Sequence, residues 1–425
     1  MRPRRKLATD VLICGGGCAG LVAALASARN NARTLLIERA GFAGGIITAV
    51  GLPYFDGIAD KKTGRIVVRG IPFELLMKMG RAKPSDTHIK PHNPTLKSVE
   101  GFKLLADQLL TAHGEMIRVL YHTSVCETIV KNGRVAGVLA ANKDGLVEIE
   151  AKQVVDCTGD GDVAAWAGAP VERNQPLMPM TLHFRVGNVR LNPQLRAKAR
   201  EALIRVHKEG KLPMFYGPGL IFCFADNEAY IHGIRVPGDA VDAADLSRAE
   251  MQGRADAWTM FNAWKESVPG FEDSYFITSG PYIGIRETRR ILGQYVLNED
   301  DITHGHRFDD AVATGCWYLD RHPNHVTVGS ANEPKTGIQP DPYDIPYRSI
   351  TTRNLGNLLV AGRCHSATAA AATSTRVSVT AMALGQAAGT AAALAIKSGK
   401  DVGELNGQAV REELTEQGGG PFTEV

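Results

Sequence analysis

Three histidines and one arginine combine residue types and positions suited to acid–base chemistry: His183, His232, Arg286 and His365. His365 directly follows a predicted strand that ends at Gly362, and it precedes a long segment of small residues. Histidine is the side chain that titrates closest to neutral pH, so a histidine at such a strand end is a candidate general base. A purely structural contact by His365 is the alternative hypothesis.

Two further histidines lie in segments with the alternating pattern of strands. In "MTLHFRVG", His183 shares one face with Thr181 and Arg185, and in "EAYIHGIRV", His232 shares one face with Tyr230. These faces either cover a reaction site or point to solvent, and the sequence leaves both interpretations open. His232 and His183 are therefore the alternative candidates for the base.

The arginines of "GIRETRRILGQ" could hold an acidic substrate through charge-assisted hydrogen bonds. Arg286 is the main candidate. For Arg289 and Arg290, ion pairs with Glu287 and contacts with local carbonyl groups are the favoured alternative. Cys364 is a further candidate for covalent or redox chemistry.

The bulk composition excludes several classes of protein. The net charge of +3 over 425 residues is too small for a nucleic-acid partner. The seven cysteines are scattered and include no C-x-x-C pair, which excludes a disulfide framework and a zinc site. We expect no metal site, buried thiols in a reducing compartment, and a cytoplasmic location.

The elements that would position these residues begin with a nucleotide-binding pattern. An apolar strand at residues 11–14 leads into a glycine turn and a helix of small residues. The residues of this turn are Gly15, Gly17, Cys18, Ala19 and Gly20. Its glycines permit a tight turn, approach of a pyrophosphate and close packing of helix on strand, and the helix N-terminus faces the phosphates. Glu38 lies 23 positions after Gly15, where an acid accepts hydrogen bonds from a ribose.

Two later strands also end in glycine turns. One strand, at residues 153–157, precedes the turn at 158–160, and another, at 358–361, ends at Gly362. The carboxyl ends of parallel strands converge on one crevice. A nicotinamide dinucleotide needs no strand from so late in the chain, whereas the isoalloxazine ring of FAD reaches a distant turn. The sequence therefore predicts FAD as the cofactor.

Four segments resemble a known family: "DVLICGGGCAGLVAA", "VVDCTGDGDVAAWAGAP", "GIRETRRILGQYVL" and "NLLVAGRCHSA" with the following "TRVSVTAMALGQAAGTAAAL". They resemble the FAD-dependent oxidoreductases of the two-dinucleotide-fold (glutathione reductase-like) superfamily. Within that superfamily they are most similar to a large bacterial family distantly related to the fumarate reductase flavoprotein. The resemblance covers most of the chain and implies FAD, but it leaves the substrate open.

The resemblance also implies which residues bind the cofactor. Gly15, Gly17 and Gly20 would hold the pyrophosphate, and Glu38 the adenosine ribose. Many relatives place an aspartate after the glycine of the last strand to bind the ribityl chain, whereas this chain has Arg363 there. The remaining implied contacts are Arg39, Gly44, Gly45, Val125, Thr158, Gly159, Asp160, Gly362, Arg363, Arg376 and Val377.

The segment of small residues at 369–395 is long enough to cross a membrane. Arg376, Gln386 and several hydroxyl residues interrupt its apolar character, so we predict no membrane span. We expect instead one helix, over about 375–397, whose small residues allow close contact with the sheet and the flavin. Its N-terminus would stabilise the negative charge of a reduced flavin near N1.

The predicted fold is α/β, with a doubly wound parallel-sheet FAD-binding domain, a β-meander crossover and an inserted α+β substrate domain. Two-residue hairpin signals at Asn132-Gly133 and Asp144-Gly145 define the three-stranded meander. The predicted limits are 1–175 and 347–400 for the two parts of the FAD-binding domain, 176–346 for the substrate domain, and 401–425 for a C-terminal tail.

The predicted function is oxidation of a small polar substrate, at a CH–OH or related C–H bond, by hydride transfer to flavin N5. Residues 176–425 contain no second G-x-G-x-x-G pattern for NAD(P)H, and the chain has no C-x4-C redox pair. His365→Ala should then slow flavin reduction by roughly two to four orders of magnitude. The alternatives are a reductase of an activated double bond and an electron-transfer subunit, although iron–sulfur motifs are absent. The electron acceptor, oxygen or another, and assembly into a homo-oligomer stay open.

Overall fold

A computed structural model describes residues 5–322, 328–329 and 338–419. The strands are, in chain order, β1 (Arg5–Cys14), β2 (Thr34–Ile37), β3 (Ile117–Leu120), β4 (Ser124–Lys131), β5 (Arg134–Asn142), β6 (Gly145–Asp156), β7 (Val171–Glu172), β8 (Phe184–Gly187), β9 (Phe215–Tyr216), β10 (Leu220–Ile221), β11 (Ala229–Ile231), β12 (Tyr275–Ser279), β13 (Arg290–Ile291), β14 (Ala311–Gly315), β15 (Val328–Gly329), β16 (Tyr343–Pro346) and β17 (Leu358–Val360). The α-helices are α1 (Cys18–Arg29), α2 (Ile46–Ala49), α3 (Ile71–Lys78), α4 (Val99–Thr111), α5 (Asp162–Trp166), α6 (Leu195–Lys208), α7 (Ala243–Ser267), α8 (Glu299–Thr303), α9 (Ala369–Thr375), α10 (Ser378–Ser398) and α11 (Gly407–Glu416).

The main sheet has a parallel core in the order β3-β2-β1-β6-β17. Its central strands are apolar on both faces, because α1 and α10 cover one face and a second layer of side chains covers the other. The prediction of an α/β fold with a parallel sheet is confirmed. The carboxyl ends of β1, β2, β6 and β17 consequently meet at one edge, where the three glycine turns lie.

Strand β6 pairs with the meander along one half and with β17 along the other, whereas the sequence described these two halves separately. Its first half pairs antiparallel with β5 in a meander with β4, and its last residues pair in parallel with β17. No chain breaker separates the halves, so they form one strand of 12 residues. Strand β1 is also longer than predicted, starting at Arg5 rather than Val11, because its first half pairs with β6 from Val147 onward.

The small residues near the C-terminus allow two helices to make backbone contact. A methyl group added at Gly385 would lie 2.1 Å from the carbonyl oxygen of Ala19, and one at Gly389 would lie 2.2 Å from that of Ala23. The helix predicted over about 375–397 is α10, which begins at Ser378, and a separate short helix, α9, precedes it with a break at residues 376–377. Helix α10 is long and apolar enough to cross a membrane, but 83% of its most apolar window is buried inside the protein.

Replacing Gly389 by alanine should destabilise the protein, although alanine normally favours a helix by about 1 kcal/mol. The added methyl group would overlap the Ala23 carbonyl and force α1 and α10 apart. We expect the free energy of unfolding to fall by about 1–3 kcal/mol, measured by denaturant unfolding. The control is Gly101→Ala in α4, where the nearest atoms lie 3.3 Å away in the Ser98 side chain. A Gly389→Ala protein as stable as wild type would contradict this account of the packing.

A second hydrophobic core is built from side chains between residues 180 and 283. Here α6 and α7 pack on an antiparallel sheet of order β10-β11-β8-β12. The predicted limits of the domains stay a prediction. Side chains between residues 297 and 345, which the sequence grouped with the insert, pack in the first core because β14 lies against α10 and α11 and β16 pairs with β14.

The segment predicted as a C-terminal tail contains a packed helix. In α11, Val410 and Leu414 are buried in the first core, and Arg411 donates a hydrogen bond to the Phe308 carbonyl. The tail prediction is therefore wrong for residues 407–416. An apolar residue every fourth position gives this short helix a buried stripe, which the charged composition of the segment obscured. Residues 420–425 lie outside the described part of the chain.

Candidate active site

A large cavity lies at the carboxyl ends of the parallel strands and encloses about 1530 Å³ of empty space, including its open mouth. On the β2 side it is lined by Glu38 and Val125, and on the β17 and α10 side by Gly362, Arg376 and Ser378. Strands β2 and β17 are three strand spacings apart, which is roughly 14 Å. The cavity therefore has the extent that an elongated dinucleotide requires.

The first glycine turn has space for a pyrophosphate at one position only. Gly15 has φ +97°, and a methyl group there would lie 2.5 Å from the Cys157 carbonyl oxygen. A methyl group at Gly20 would lie 1.8 Å from the Gly15 carbonyl oxygen. At Gly17 the nearest atom is 3.8 Å away, so this residue faces open cavity. Because no side chain caps the N-terminus of α1, its N–H groups remain available to phosphate oxygens.

Glu38 is held rigidly at the end of β2. Its two carboxylate oxygens accept hydrogen bonds from the backbone N–H groups of Gly16, at 2.6 Å, and Ala40, at 2.8 Å. Each carboxylate oxygen has a second lone pair, so Glu38 can still accept hydrogen bonds from ribose hydroxyl groups. The turn at Gly44 and Gly45 packs on the first glycine turn, since Gly44 N donates to the Gly16 carbonyl at 2.8 Å.

An aspartate reaches the cavity from a strand other than the one in which related proteins carry it. Asp160, after β6, lines the cavity and accepts hydrogen bonds from Arg363, at 2.9 Å, and Thr288, at 2.8 Å. Arg363 thus holds a carboxylate near the position where the sequence comparison expected one. Asp160 is available to hydroxyl groups of a ribityl chain, with Arg363 as its anchor.

Most residues predicted to bind the cofactor line this one cavity. They are Gly15, Gly17, Cys18, Ala19, Glu38, Arg39, Gly45, Val125, Thr158, Gly159, Asp160, Gly362, Arg363 and Arg376. Gly20, Gly44 and Val377 do not line it. Gly20 and Gly44 support the glycine turns, and Val377 directly precedes α10. The residues present fit FAD at both the phosphate turn and the ribose carboxylate.

Comparison with known families decides the class of this protein. Residues 10–414 match the family model described as FAD dependent oxidoreductase. The chain belongs to this family. As an FAD-dependent oxidoreductase it is an enzyme with FAD as its cofactor, as the sequence predicted. The finer relationship, to the glutathione reductase-like superfamily and distantly to the fumarate reductase flavoprotein, stays a prediction.

Individual relatives add little about the reaction. The oxidoreductase is similar to a thiamine thiazole synthase of Aeropyrum pernix, with 32% identity over 167 residues, or 37% of this chain and 56% of that relative. The match therefore spans little more than half of the relative's length. Among solved structures, it is similar to a geranylgeranyl bacteriochlorophyll reductase-like protein from Thermoplasma acidophilum, with 15% identity, a TM-score of 0.48 and coverage of 97% of this chain and 84% of that one. It is also similar to the flavin-dependent brominase Bmp2, with 14% identity, a TM-score of 0.48 and coverage of 95% and 83%.

His365 does not line the cavity, contrary to its predicted role as the base. It is 1% exposed, and its Nε2 atom lies 2.7 Å from the Thr375 hydroxyl oxygen. Burial and the charge of Arg290 lower the pKa of His365 to about 4. The strand-end position was correct, but the turn after Gly362 directs the side chain toward α9 instead of the cavity.

The structure changes the expected result for His365→Ala. The variant should keep its FAD and reduce it at a rate close to that of wild type, because the side chain reaches neither the cavity nor a reacting group. It should instead lose stability by roughly 1–3 kcal/mol, since it loses a buried hydrogen bond to Thr375. Rapid-mixing kinetics and denaturant unfolding would measure the two effects. A large loss in reduction rate without loss of stability would restore the original assignment.

The other two histidines meet in a buried polar network next to the cavity. The ring centroids of His183 and His232 are 4.6 Å apart, and the Tyr230 hydroxyl lies 2.5 Å from His183 Nδ1. Arg286, which lines the cavity, places its Nη2 atom 3.3 Å from His232 Nε2 and also donates to the Thr181 hydroxyl. Of the two faces weighed from the sequence, the buried one is therefore correct for these residues.

Burial keeps both histidines of the network neutral. It lowers the pKa of His183 and of His232 well below the ordinary value, and the charges of Arg286 and Arg235 add to the effect. Because Arg286 can only donate, the contact assigns His232 Nε2 as an acceptor without a proton. Arg286 therefore connects the cavity to an unprotonated imidazole.

The other arginines of the same segment have structural roles, as the favoured alternative stated. Arg289 pairs with Asp162 and donates to the Asp160 carbonyl at 3.0 Å. Arg290 is buried and pairs with Glu287 at 2.7 Å. Cys364 is fully buried, which raises the pKa of its thiol well above the ordinary value and makes it unreactive.

Several cavity and network residues were missed from the sequence. Tyr282 lines the cavity with the Arg39 guanidinium 5.4 Å above its ring, and Arg235 donates to Thr181 at 3.0 Å. Asp320 pairs with Arg376 at 3.0 Å. None of these positions carries a local motif. Arg235 was missed because β11 ends at Ile231. The alternation of faces along a strand, which grouped Tyr230 with His232, does not apply to Arg235, four residues after the strand ends.

Proposed function

We propose that this FAD-dependent oxidoreductase oxidises a small polar substrate at a CH–OH or related C–H bond. When bound, FAD would supply the hydride acceptor, and oxygen or another acceptor would regenerate it. The observation that supports this proposal is the placement of Arg286, which lines the cavity and contacts His232. A cation that lines the cavity thus contacts an unprotonated imidazole beside it.

Within this proposal His232 accepts the proton of the substrate hydroxyl group. The neutral state of His232, caused by burial and nearby cations, leaves Nε2 free of a proton before the reaction. Arg286 positions the substrate and holds the imidazole, and His183 packs against the ring and fixes its orientation. His183 and Arg286, which contact His232, are buried. Their burial limits the access of water, which favours transfer of the proton to His232 over exchange with solvent.

The experiment that tests the function is anaerobic reduction of the purified holoenzyme by a panel of alcohols, hydroxy acids and amines, followed by flavin absorbance. Bleaching by one class identifies oxidation and the substrate type. Reoxidation of the reduced enzyme by an activated alkene, without bleaching by any member of the panel, would instead support a double-bond reductase. If no member of the panel bleaches the flavin and the activated alkene does not reoxidise the reduced enzyme, the result would support an electron-transfer subunit.

NADH and NADPH should reduce the enzyme poorly compared with its substrate. The only G-x-G-x-x-G turn with strand and helix context is the one assigned to FAD, and residues 176–425 contain no second one. Stopped-flow bleaching at equal concentrations of NADH and substrate would measure the ratio. Rapid stoichiometric bleaching by either nicotinamide would show that a site for it exists.

We also propose a cytoplasmic location and a small-molecule substrate as the direct partner. All seven cysteines are free thiols, and six of them are buried. Free thiols are typical of reducing compartments. Quantitative thiol labelling of protein isolated from its cells would test this, because labelling of fewer than seven cysteines after unfolding would indicate oxidation.

A further inference from the structure

Three arginine side chains from distant parts of the chain come together beside the cavity, two of them in its lining and Arg235 next to them. Arg286 and Arg376 line the cavity. Arg235 is 6% exposed and donates to the Thr181 hydroxyl at 3.0 Å, and Arg286 donates to the same hydroxyl. One shared acceptor brings two guanidinium groups into the same small volume. We refer to Arg235, Arg286 and Arg376 as the arginine cluster.

The arginine cluster contains more cations than nearby carboxylates. Arg376 Nη2 pairs with Asp320 Oδ2 at 3.0 Å. In the part of the chain that the structure describes, no carboxylate oxygen lies within 4.0 Å of the nitrogens of Arg235 or Arg286. Their partners are hydroxyl and carbonyl oxygens, the His232 imidazole and, for Arg235, the Tyr216 ring 4.8 Å away. Buried cations without a counter-charge are costly.

The other carboxylate near the arginine cluster does not remove the imbalance. Burial and the neighbouring Asp320 raise the pKa of Asp56 to about 7, so Asp56 is only partly ionised at neutral pH. Burial opposes ionisation of Asp320 as well, but a hydrogen bond from His322 and the charge of Arg376 hold its pKa below the usual range. Among the described residues, the neighbourhood therefore has one fully ionised carboxylate for three guanidinium groups.

The pKa of Arg286 reflects this excess of cations over carboxylates. Burial, followed by the charges of Arg235 and Arg376, lowers the pKa of Arg286 well below its ordinary value. A guanidinium group nevertheless stays protonated in proteins. The lowered pKa thus expresses the burial of the charge and, after it, repulsion among the three cations, and a bound anion would offset both.

The arginine cluster also has donors without acceptors. Arg235 Nη2 and Arg376 Nε are buried and have no hydrogen-bond partner. An unsatisfied buried donor costs about 1–3 kcal/mol, and more for a charged group. Two unused donors beside an excess of positive charge are the features that a ligand with two anionic oxygens would satisfy.

We propose that the arginine cluster binds the carboxylate of an organic-acid substrate, with Arg235 as a specificity-determining residue. This inference rests on the proposed function, because it names the substrate class for the same site. A carboxylate fits because its two coplanar oxygens match the planar fork of a guanidinium group. Its negative charge also makes His232 a stronger base, since it offsets the cations that hold the imidazole neutral.

The test uses the full-length holoenzyme loaded with FAD and three probes: malonate, malonamide and inorganic phosphate. Malonate and malonamide have the same shape and differ in charge. We expect malonate, but not malonamide, to bind by titration calorimetry and to perturb the flavin absorbance spectrum. Arg235→Met should weaken malonate binding roughly tenfold to a hundredfold, the scale of one or two charge-assisted hydrogen bonds, and Arg235→Lys should weaken it less.

The matched control is Arg254→Met, because Arg254 is half exposed on α7 and pairs with Glu250. Its malonate affinity should equal that of wild type. FAD content and the unfolding midpoint show whether each variant is folded. If Arg235→Met does not fold, Arg235→Lys takes its place in the binding comparison. Equal binding of malonate and malonamide, tighter binding of phosphate, or undiminished malonate binding by the Arg235 variants would each overturn the inference.

The two proposals fail in different ways. If a neutral alcohol reduces the flavin and Arg235→Met leaves that rate unchanged, the enzyme is an oxidising flavoprotein but the carboxylate site is wrong. If malonate binding depends on Arg235 but no compound of the panel reduces the flavin, the carboxylate site is correct and the oxidation is wrong. Binding and flavin reduction are therefore measured on the same preparations.

Discussion

Replacing Gly17 by valine should give a folded, colourless protein that does not retain FAD. Gly17 has φ −66°, which valine tolerates, and the nearest atom to an added methyl group is 3.8 Å away. The valine side chain would therefore occupy only cavity space, where the pyrophosphate is expected. Wild-type protein should be yellow and release FAD rather than FMN on denaturation, because Glu38 serves the adenosine half.

Titration of the two apoproteins with FAD would measure the effect. We expect the affinity of Gly17→Val to fall roughly a hundredfold or more, at the upper end of the cost of overpacking a tight site. The unfolding midpoint of the Gly17→Val apoprotein should match that of the wild-type apoprotein, and Gly101→Ala, far from the cavity, should keep full FAD affinity. Tight FAD binding by Gly17→Val would place the pyrophosphate away from this turn.

Replacing His232 by alanine should preserve FAD and slow substrate-dependent flavin reduction by roughly two to four orders of magnitude, the usual effect of losing a general base. The expectation rests on two contacts of the imidazole, one with Arg286 at 3.3 Å and one with the His183 ring at 4.6 Å. His183→Ala should cause a smaller loss, because His183 orients the ring and does not contact Arg286.

Rapid mixing with the substrate found in the panel would rank the three histidine variants in the order His232→Ala, His183→Ala and His365→Ala, from slowest to fastest. His365→Ala is the control, since it removes a buried imidazole whose hydrogen-bond partner is Thr375 and not Arg286. His232 is excluded as the base if the His232→Ala variant reduces its flavin at the wild-type rate and the reduction still shows a substrate isotope effect.

The sequence alone predicted the parallel-sheet core and the cofactor because both depend on local patterns. A strand, a glycine turn and a helix are adjacent in the chain, and the spacing from Gly15 to Glu38 is fixed by one helix and one strand. The same is true of the hairpins around β5.

The direction in which single side chains point was decided by the tertiary structure. His365 was judged from its place after Gly362, but a turn directs its ring toward Thr375. Arg363 departs from the usual aspartate, and only the fold shows that it holds Asp160, a residue 203 positions away. Neither contact has a signal in a single sequence, because one joins a turn to the end of the following helix and the other joins turns that follow different strands.

The sequence likewise could not predict which residues form the buried polar network. The glycines and the acid that fit FAD follow from chain-local geometry, since backbone shape at a turn is set by a few neighbouring residues. The arginine cluster instead draws on segments around residues 235, 286 and 376, which are brought together when the second core packs against the cavity. The sequence thus determined the cofactor, and the tertiary structure determined which charges lie at the cavity, because electrostatic pairing depends on distance in space and not on separation along the chain.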